Sequence, residues 1–599
     1  MSKFYFSGNE AIAHGLIHGG VRFITGYPGT PSSEIIPAVQ SLIKQFSLKA
    51  FADWSINEKV AYEIAYGACL ANIKSAVTMK QVGLNVAMDP FMNSAYVGTV
   101  AGFVVISVDD PGPHSSQTEQ DSRFMAMAAK IPVLDPSTVE EAYEFAQKAI
   151  ELSEKFSIPV MLRSTTRISH GRAIVDIKDF ESSNTIQPHF KSSKDWSKQL
   201  SRFAATPKQR LELHRLLNEK IEKIAAQNKP KLFFNGEILV LSSGAVFAYI
   251  YELIEEYGLQ DKITLCKLDI PYPLSKEKFN FIEKFNRIIS VEETYPVIEL
   301  QLDTEGRRNG LVPKQGEITP EVCEEILEKL GLIKNRKTLQ IPPLKRPSLC
   351  PGCAHRAALF SVKKIFGKKA IYAGDIGCYT LALNFEATDT VLNMGASVSF
   401  GFAFSKAFEL GNKKQDVISI IGDSTFFHSG IPPLIDAVHY RVPFLLLILD
   451  NQTVAMTGNQ KTLSTPHDFL GQPLKTVSIE DIVKSLGVNF IKVVDPYDFQ
   501  NSLNTLKEAK EFLKKNNEPA VIVFRHLCIN TKQGLQNNPK IPVKIEKELC
   551  KGCMICIKEF ECPAIVFDDE EKKANIDKTL CISCGFCINV CPTKAITLI

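Results

Sequence analysis

The segment IIGDSTFFHSG, residues 420–430, decides the fold, because an apolar strand ends there at a glycine and an acidic residue. The strand DVISIIGD and the later FLLLILDN are nearly continuous apolar runs, which is typical of parallel strands buried on both faces. A glycine at such an end lets the backbone approach a ligand, and the helix N-terminus that follows offers free N–H groups to phosphate oxygens. The segment therefore predicts a phosphate site at Gly422, Asp423 and Ser424, with Asp423 suited to Mg2+.

The next strand ends in ILDNQTVAMTGNQ, which places Asn451 twenty-six residues after Thr425. Adjacent parallel strands deliver their carboxyl ends to one edge of a sheet, so we expect Asn451 to lie beside Asp423. Neither segment is distinctive by itself, because Gly-Asp-Ser and Asp-Asn occur in many turns. The prediction of a phosphate and cation site depends on both segments occurring at this distance from each other.

Strand and helix patterns alternate through most of the 599 residues, which predicts a multidomain α/β protein. The predicted parts are an α/β domain at 1–185, a charged helical linker at 186–232, a small α/β domain at 233–335, a second large α/β domain at 348–535 and a cysteine-dense tail at 543–599.

The composition argues against nucleic-acid and membrane partners, because 69 Lys and Arg balance 66 Asp and Glu. The opening MSKFYFSGNEAIAHG has no apolar run typical of a signal peptide, and VPFLLLILD is too short to span a bilayer. We therefore expect a cytoplasmic protein. Thiols stay reduced there, so the fifteen cysteines indicate metal or cluster ligands rather than disulfides.

The tail contains two cysteine blocks, CKGCMICIKEFECP from Cys550 and CISCGFCINVCP from Cys581. Three cysteines at intervals of three, followed by Cys-Pro, are typical of two-cluster ferredoxins, in which the fourth cysteine of each block reaches the other cluster. The predicted [4Fe–4S] sets are Cys550, Cys553, Cys556 and Cys591 for cluster 1, and Cys562, Cys581, Cys584 and Cys587 for cluster 2. Structural zinc knuckles remain the alternative. Cys562 follows Cys556 after five residues, where the bacterial pattern has three. The tail lies at the chain's end and is free to dock at a distance.

The pairing of Gly-Asp-Ser with a later Asn resembles the thiamine diphosphate motif, although Ser424 replaces the usual second glycine. GYPGTPSSE from Gly26 resembles a turn of the 2-oxoacid:ferredoxin oxidoreductases, and the order of the parts resembles that family over nearly the whole chain. The resemblance implies two similar coenzyme-binding domains, the first for the aminopyrimidine and the second for the diphosphate. It assigns catalysis to Glu58, Mg2+ to Asp423, Asn451 and Thr453, and substrate contact to Thr30. It assigns coenzyme binding to Gly422, Asp423, Ser424, Thr425, Asn451, Thr453, Met394 and Gly395.

The resemblance also bears on four cysteines outside the tail. In this family a Cys-x2-Cys pair, a cysteine about 25 residues later and a late cysteine hold a third cluster close to thiamine. Cys350, Cys353, Cys378 and Cys528 match that pattern, which implies a third [4Fe–4S] site. The alternative is that Cys378 and Cys528 are buried apolar thiols.

The implied activity is oxidative decarboxylation of an arylpyruvate, with electrons passing through the clusters to ferredoxin and the acyl group to coenzyme A. The resemblance further implies a smaller second subunit in an α2β2 heterotetramer. Two alternatives stay open. One is a non-oxidative thiamine enzyme, a decarboxylase or synthase, and the other is an electron-transfer subunit whose thiamine-like domains are only a scaffold.

Overall fold

A computed structural model describes residues 2–177, 207–334 and 346–599. They belong to two compact units, Met1–Ile341 and Pro342–Ile599, and each unit is described by itself below. Part of the predicted linker, residues 186–206, lies outside the described residues.

A six-stranded parallel sheet forms the centre of the first unit, in the order β3-β2-β4-β5-β7-β6. Its strands are β2 (Phe23–Gly26), β3 (Phe51–Trp54), β4 (Ser75–Lys80), β5 (Phe103–Asp109), β6 (Val133–Leu134) and β7 (Val160–Thr165). β4, β5 and β7 are buried along their whole length, as their apolar runs predict. β2 lies between β3 and β4, so the direction of the strand order reverses there, and ligands of α/β sheets bind at the carboxyl end of such a position.

Helices cover this sheet, and an antiparallel ribbon of β1 (Ser2–Ser7) and β8 (Arg172–Ile177) flanks it. The helices are Gly8–His18, Ile35–Gln45, Glu58–Leu70, Gln81–Val86, Met88–Val97, Ser122–Ala129, Val139–Phe156 and Thr166–His170.

The charged segment predicted as a linker contains the helix Pro207–Gln227, which packs against the first sheet's helices. Leu217 and Ile224 are buried, and Lys220 Nζ donates to the Ser157 carbonyl at 2.7 Å. The structure therefore makes this helix part of the first α/β body, because its apolar stripe is covered although its other faces are charged.

A four-stranded sheet follows, in the order β12-β10-β11-β9, with β9 antiparallel to its neighbour. Its strands are β9 (Lys231–Phe233), β10 (Ile238–Ser242), β11 (Ile263–Lys267) and β12 (Arg287–Ser290). Its helices are Gly244–Glu256, Val297–Leu302 and Pro320–Lys329, with a 3-10 segment at Lys276–Lys284. β9 begins two residues before the predicted start of the small domain at 233.

The second unit is built on a five-stranded parallel sheet in the order β13-β14-β15-β17-β16. Its strands are β13 (Ile371–Ala373), β14 (Val417–Gly422), β15 (Leu445–Asp450), β16 (Phe490–Val494) and β17 (Ala520–Arg525). Its α-helices are Ala354–Phe366, Ala396–Leu410, Asp423–Thr425, Ile431–His439, Ile479–Ser485, Phe499–Lys515 and Lys532–Gln536. Shorter turns of helix lie at Cys378–Phe385, Phe426–Gly430 and Ala455–Thr457.

The cysteine-dense tail contains two antiparallel ribbons. They pair β18 (Val543–Ile545) with β21 (Ile596–Leu598), and β19 (Ile565–Asp568) with β20 (Lys573–Ile576). Short helical turns lie at Ile555–Lys558 and Phe586–Asn589.

The tail does not hang free from the chain's end. Phe360, on the helix Ala354–Phe366, lies 5.5 Å from the ring centroid of Phe560 and 6.3 Å from that of Phe586, and all three are buried in one apolar cluster. The expectation that the tail could dock at a distance is therefore replaced by direct packing on the second sheet's helices.

No helix among the described ranges is both long and apolar enough to cross a membrane.

Candidate functional site

The Asp423 carboxylate lies at the carboxyl end of β14. Gly422 pairs with Leu449 in the parallel register of β14 and β15, so Asp423, directly after β14, lies beside Asp450, the last residue of β15. Both are almost fully buried, with 3% and 1% of their surfaces exposed. Asp450 accepts a hydrogen bond from Arg525 Nε at 2.6 Å and forms an ion pair with it. Asp423 has no ion-pair partner among the described residues.

The environment of Asp423 fits a divalent cation. Burial and the Asp450 carboxylate raise the pKa of Asp423 well above its usual value, against the opposite effect of the Ser424 and Gln452 backbone N–H groups. Its Oδ2 has no hydrogen-bond partner in the described part of the chain. An ionised carboxylate is costly to bury without a partner, and a carboxylate oxygen is the ligand that Mg2+ prefers. A bound cation would remove this cost.

Asn451 and Thr453 form the turn that follows β15. Asn451 Oδ1 accepts the Thr453 N–H at 3.1 Å, and Thr453 Oγ1 donates to the Gln460 carbonyl at 3.0 Å. The Asn451 carbonyl in turn accepts the backbone N–H of Cys528 at 3.3 Å. A cysteine predicted for the third cluster is therefore hydrogen-bonded to a residue predicted to bind the cation.

Met394 and Gly395 precede the helix Ala396–Leu410, and a buried acid holds their loop. Asp375 Oδ2 accepts the Gly395 N–H at 3.0 Å and the Ser397 hydroxyl at 2.7 Å, while Tyr379 donates to Oδ1. Gly395 adopts φ +84° and a Cβ there would lie 2.6 Å from the Ser429 Cβ, so only glycine fits.

Burial raises the pKa of Asp375 to about 6, although the hydrogen bonds from Tyr379 and Ser397 oppose the rise. Thr425 Oγ1 also contacts this region, donating to the Ile376 carbonyl at 3.0 Å. Asp375 is not among the residues predicted from the sequence. Its position in GDIG, just after β13, repeats the strand-end pattern of Gly422 and Asp423 and is the signal that could have identified it.

Glu58 begins the helix Glu58–Leu70 in the first unit, and Asn57 caps that helix by accepting the Val60 N–H at 2.8 Å. Glu58 is 6% exposed. Gly83 lies against its side chain so closely that a Cβ at Gly83 would be 2.5 Å from Glu58 Oε1. The carboxylate is thus held in a confined, largely dry position, as a catalytic group against a coenzyme ring would be.

Thr30 follows β2, at the position where the strand order of the first sheet reverses, and the Thr30-Pro31 peptide bond is cis. The Thr30 carbonyl accepts a hydrogen bond from Ser115 Oγ at 3.3 Å. Ser115 Oγ also accepts from Lys80 Nζ at 2.9 Å, and burial lowers the pKa of Lys80 to about 8 although Asp110 raises it. Lys80 was not foreseen, because a lone lysine at a strand end carries no distinctive pattern.

Four cysteines from three separate segments of the chain line one cavity of the second unit, which we call the proximal cavity. Its walls include Cys350, Cys353, Cys378 and Cys528, together with His355, Asn451 and Asn530. Burial raises the pKa of the Cys378 thiol to about 12, and the other three thiols add to the rise. Such mutual repulsion between thiolates is removed when they bind iron.

The eight cysteines of the tail line two further cavities. The middle cavity is lined by Cys562, Cys581, Cys584 and Cys587, and the outer cavity by Cys550, Cys553, Cys556 and Cys591. The structure therefore brings the tail cysteines together in the two sets that the spacing predicts. Cys353 lines the middle cavity as well as the proximal one.

The side chain of Arg356 contacts the longer loop before Cys562. The side chain is 1% exposed, and its Nη1 donates to the carbonyls of Phe560, at 3.0 Å, and Glu561. Its Nη2 donates to the Leu349 carbonyl. The additional residues of the loop thus contact the helix that begins after Cys353.

No group of three or more His, Cys, Asp or Glu side chains in residues 2–177, 207–334 and 346–599 surrounds the position of a single metal ion. The four cysteines of a [4Fe–4S] cluster bind four different iron atoms, so this absence concerns single-ion sites.

Three family models match the chain. Residues 14–227 match "Pyruvate flavodoxin/ferredoxin oxidoreductase, thiamine diP-bdg", residues 375–524 match "Thiamine pyrophosphate enzyme, C-terminal TPP binding domain", and residues 574–597 match "4Fe-4S binding domain". The matches confirm the predicted fold class and extend the first α/β body through the helix Pro207–Gln227.

Curated relatives match over nearly the full length. Indolepyruvate oxidoreductase subunit IorA of Thermococcus kodakarensis is 38% identical, over 98% of this chain and 96% of the relative. The protein of the same name from Archaeoglobus fulgidus is 37% identical, over 99% and 97%. A solved 2-oxoglutarate:ferredoxin oxidoreductase from Magnetococcus marinus aligns at 16% identity with a TM-score of 0.46, over 55% of this chain and 65% of that one. Because these relatives match it over nearly their full length, the chain belongs to the indolepyruvate oxidoreductase subunit IorA family of the thiamine-dependent 2-oxoacid:ferredoxin oxidoreductases.

Proposed function

We propose that this chain is the large subunit of an enzyme that decarboxylates indolepyruvate or a similar arylpyruvate. The acyl group would pass to coenzyme A, and the two electrons of the oxidation would pass singly through [4Fe–4S] clusters to ferredoxin. The relatives' names support the arylpyruvate substrate.

The proximal cavity carries this proposal. Its four cysteines share a wall with Asn451, and the Cys528 N–H donates to the Asn451 carbonyl. A cluster bound there would lie next to the diphosphate end of the coenzyme, where an oxidative enzyme needs its first electron acceptor. A non-oxidative decarboxylase removes no electrons from its substrate and therefore needs no electron acceptor at this position.

Thiamine diphosphate, when bound, supplies the carbon nucleophile and the electron sink for decarboxylation. The second unit would bind the diphosphate end of a coenzyme molecule, and the first unit would bind the aminopyrimidine end. Asp423, the Asn451 side chain and the Thr453 carbonyl would bind Mg2+ on the diphosphate, while Gly422, Ser424, Thr425, Met394 and Gly395 would contact the coenzyme. Glu58 would hold a proton at the aminopyrimidine N1′, and its burial would strengthen that hydrogen bond.

Thr30 would contact the 2-oxoacid, because it lies at the carboxyl end of β2, where ligands of such sheets bind. The hydrogen bonds from Lys80 to Ser115 and from Ser115 to the Thr30 carbonyl would keep this turn in place. Closing the site to water and protons matters for this reaction, since protonation of the decarboxylated substrate would release an aldehyde.

The electrons would leave through the three cavities in turn. Cys353 lines both the proximal and the middle cavity, so clusters at these two positions would be neighbours. The outer cavity contains Cys553, which is exposed to solvent. A cluster there is placed to pass electrons to ferredoxin.

We further propose that the chain works with a smaller second subunit in an α2β2 assembly, as the subunit names of its relatives suggest. If the purified chain alone oxidises its 2-oxoacid with ferredoxin at the rate of a preparation that contains the second subunit, the partner is not needed and this part of the proposal fails.

The test is an anaerobic assay of ferredoxin reduction, with coenzyme A, on the purified holoenzyme. Indolepyruvate, phenylpyruvate, pyruvate and 2-oxoglutarate are compared by kcat/KM. We expect the two arylpyruvates to exceed pyruvate and 2-oxoglutarate by at least tenfold. Release of indoleacetaldehyde without ferredoxin or viologen reduction would identify a non-oxidative enzyme instead, and a preference for 2-oxoglutarate would overturn the substrate assignment.

A further inference from the structure

His355 is a buried polar side chain without a partner. It is 6% exposed, and neither of its ring nitrogens has a hydrogen-bond partner among the described residues. Buried polar groups are nearly always hydrogen-bonded, so an unpaired imidazole calls for a ligand. In every protonation state a histidine ring has at least one N–H donor.

The surroundings of His355 limit what that ligand can be. His355 is one of the residues that line the proximal cavity, with Cys350, Cys353, Cys378 and Cys528. The described residues that line this cavity include no Asp or Glu. The anionic acceptors within the cavity are therefore the sulfur atoms of the cysteines and of whatever they bind.

A second donor in the same cavity already contacts sulfur. Asn530 Nδ2 lies 3.3 Å from Cys350 Sγ, within the range of an N–H to sulfur hydrogen bond. The backbone N–H groups of His355 and Arg356 also reach the Cys353 thiol, where they lower its pKa against the larger effect of burial. The cavity therefore presents several N–H donors to its cysteines.

We propose that the His355 ring donates a hydrogen bond to a sulfur atom of the cluster held by Cys350, Cys353, Cys378 and Cys528, and that His355 and Asn530 together set the reduction potential of that cluster. This inference rests on the proposed third cluster. Hydrogen bonds to cluster sulfurs tune the potential, because they stabilise the added negative charge of the reduced state.

His355 is thereby a positioning and tuning residue. A cluster held by these four cysteines would accept single electrons from the decarboxylated substrate, and its 2+/1+ potential would set how readily the first electron is accepted. Without the hydrogen bond the 1+ state would be harder to form.

The test is a potentiometric EPR titration of the anaerobically purified holoenzyme and of His355→Leu, which removes the donor, and His355→Gln, which keeps one. The cluster concerned is identified as the signal that disappears in Cys378→Ala. We expect a lower midpoint potential for this cluster alone in His355→Leu, a smaller shift in the same direction in Asn530→Leu, and a potential close to the wild type in His355→Gln.

His526 provides the matched control, because it lines the same cavity but its Nδ1 faces Asp495 at 3.1 Å. We expect His526→Leu to leave the potential unchanged. Equal shifts in the two Leu variants would assign the effect to cavity polarity and overturn the hydrogen bond. If His355→Leu binds less iron than the wild type, His355→Met takes its place as the variant without a donor.

The remaining outcomes separate this inference from the proposed function. Wild-type protein with a full iron content for three clusters but unchanged potentials in every His355 variant would overturn the role of His355 alone. Weaker binding of thiamine diphosphate by His355→Leu, with an unchanged potential, would assign the ring to the diphosphate and also overturn it. A wild-type protein with iron for only two clusters would overturn the third cluster itself.

Discussion

Glu58 and Gly83 form a matched pair, in which the absence of a side chain at one position leaves room for the carboxylate at the other. Gly83 belongs to the short helix Gln81–Val86, which follows β4, while Glu58 begins the helix that follows β3. A methyl group at residue 83 would displace the Glu58 carboxylate, because the Cβ would overlap Oε1 and Cγ. The sequence indicated the acid, whereas the need for the glycine emerged only from their contact.

The first prediction concerns Glu58→Gln. The amide is the same size but cannot hold the proton at N1′, so we expect thiamine diphosphate to bind normally while kcat falls by about 10²–10⁴-fold, the usual range for removal of a general acid or base. Exchange of the thiazolium C2 proton with deuterium, followed by NMR, measures the affected step directly.

Glu63→Gln is the control, because Glu63 lies exposed on the same helix and pairs with Lys59. An exposed ion pair of this kind contributes little to stability, so this variant should be as active as the wild type. Normal turnover by Glu58→Gln would remove Glu58 from the mechanism.

The second prediction concerns Asp423→Asn. The substitution removes the anionic ligand of the cation, so thiamine diphosphate with Mg2+ should no longer stabilise the protein. For the wild type that stabilisation is about 2.7 kcal/mol at a ligand concentration of one hundred times Kd. Without ligands the variant should be at least as stable as the wild type, because its repulsion with Asp450 is removed.

Thermal unfolding with and without the two ligands measures both effects. Asp436→Asn, an exposed carboxylate on the nearby helix Ile431–His439, should keep the full stabilisation. An unchanged ligand-induced shift in Asp423→Asn would place the cation site elsewhere.

At the scale of elements, the helix Ala354–Phe366 connects the two kinds of site in the second unit. Its first residues follow Cys353, its Phe360 packs against the tail, and its Arg356 binds the backbone of the loop before Cys562. The loop that is longer than the bacterial pattern contacts this helix. The cysteine spacing showed that the loop is longer, whereas only the structure shows that the loop contacts this helix.

The third prediction concerns Arg356→Met, which keeps the length of the side chain but loses its donors. The carbonyls of Leu349, Phe560 and Glu561 would then lack their partner, at a cost of about 1–3 kcal/mol for each buried group. We expect the cluster of the middle cavity to be lost at a lower temperature than in the wild type, as measured by visible absorbance during heating.

Arg346→Met is the matched control, since Arg346 is exposed and contacts Glu561 by an ion pair of 2.6 Å. It should change cluster stability by less than about 1 kcal/mol. If the two variants lose their clusters at the same temperature, Arg356 does not hold the loop.

At the scale of the molecule, the chain combines thiamine-binding domains and a 4Fe-4S binding domain in one polypeptide, and within the second unit the four-cysteine proximal cavity also includes Asn451. The strand ends in the sequence already predict that Cys378 and Cys528 share a sheet edge with Asp423 and Asn451. The Cys528 N–H donates to the Asn451 carbonyl, which joins the proximal cavity to the turn after β15. Cys353 lines both the proximal and the middle cavity, so these two cavities are neighbours.

The fourth prediction concerns the number of clusters. Each [4Fe–4S] cluster contributes four iron atoms, so anaerobically purified protein should contain about twelve iron and twelve acid-labile sulfide per chain, and Cys378→Ala about eight. Chemical iron and sulfide analysis, with EPR of the reduced protein, measures this. Cys323→Ala, which alters a buried thiol in the helix Pro320–Lys329, should keep all twelve. Full iron content and an unchanged EPR spectrum in Cys378→Ala would show that these four cysteines only pack.

The sequence by itself determined the α/β class, the strand ends that carry Asp423 and Asn451, and the division of the tail cysteines into two sets. These features depend on short-range patterns, because burial on both faces dictates apolar runs and cluster geometry dictates cysteine spacing. The tertiary structure alone decided that Asp375 holds the Gly395 loop, that Gly83 makes room for Glu58, that the helix Pro207–Gln227 packs on the first sheet, and that His355 is buried beside four cysteines. Most of these contacts join residues remote in the chain, and even where a local pattern marks one residue, as GDIG marks Asp375, it does not show the partner, because partners depend on which apolar faces pack together.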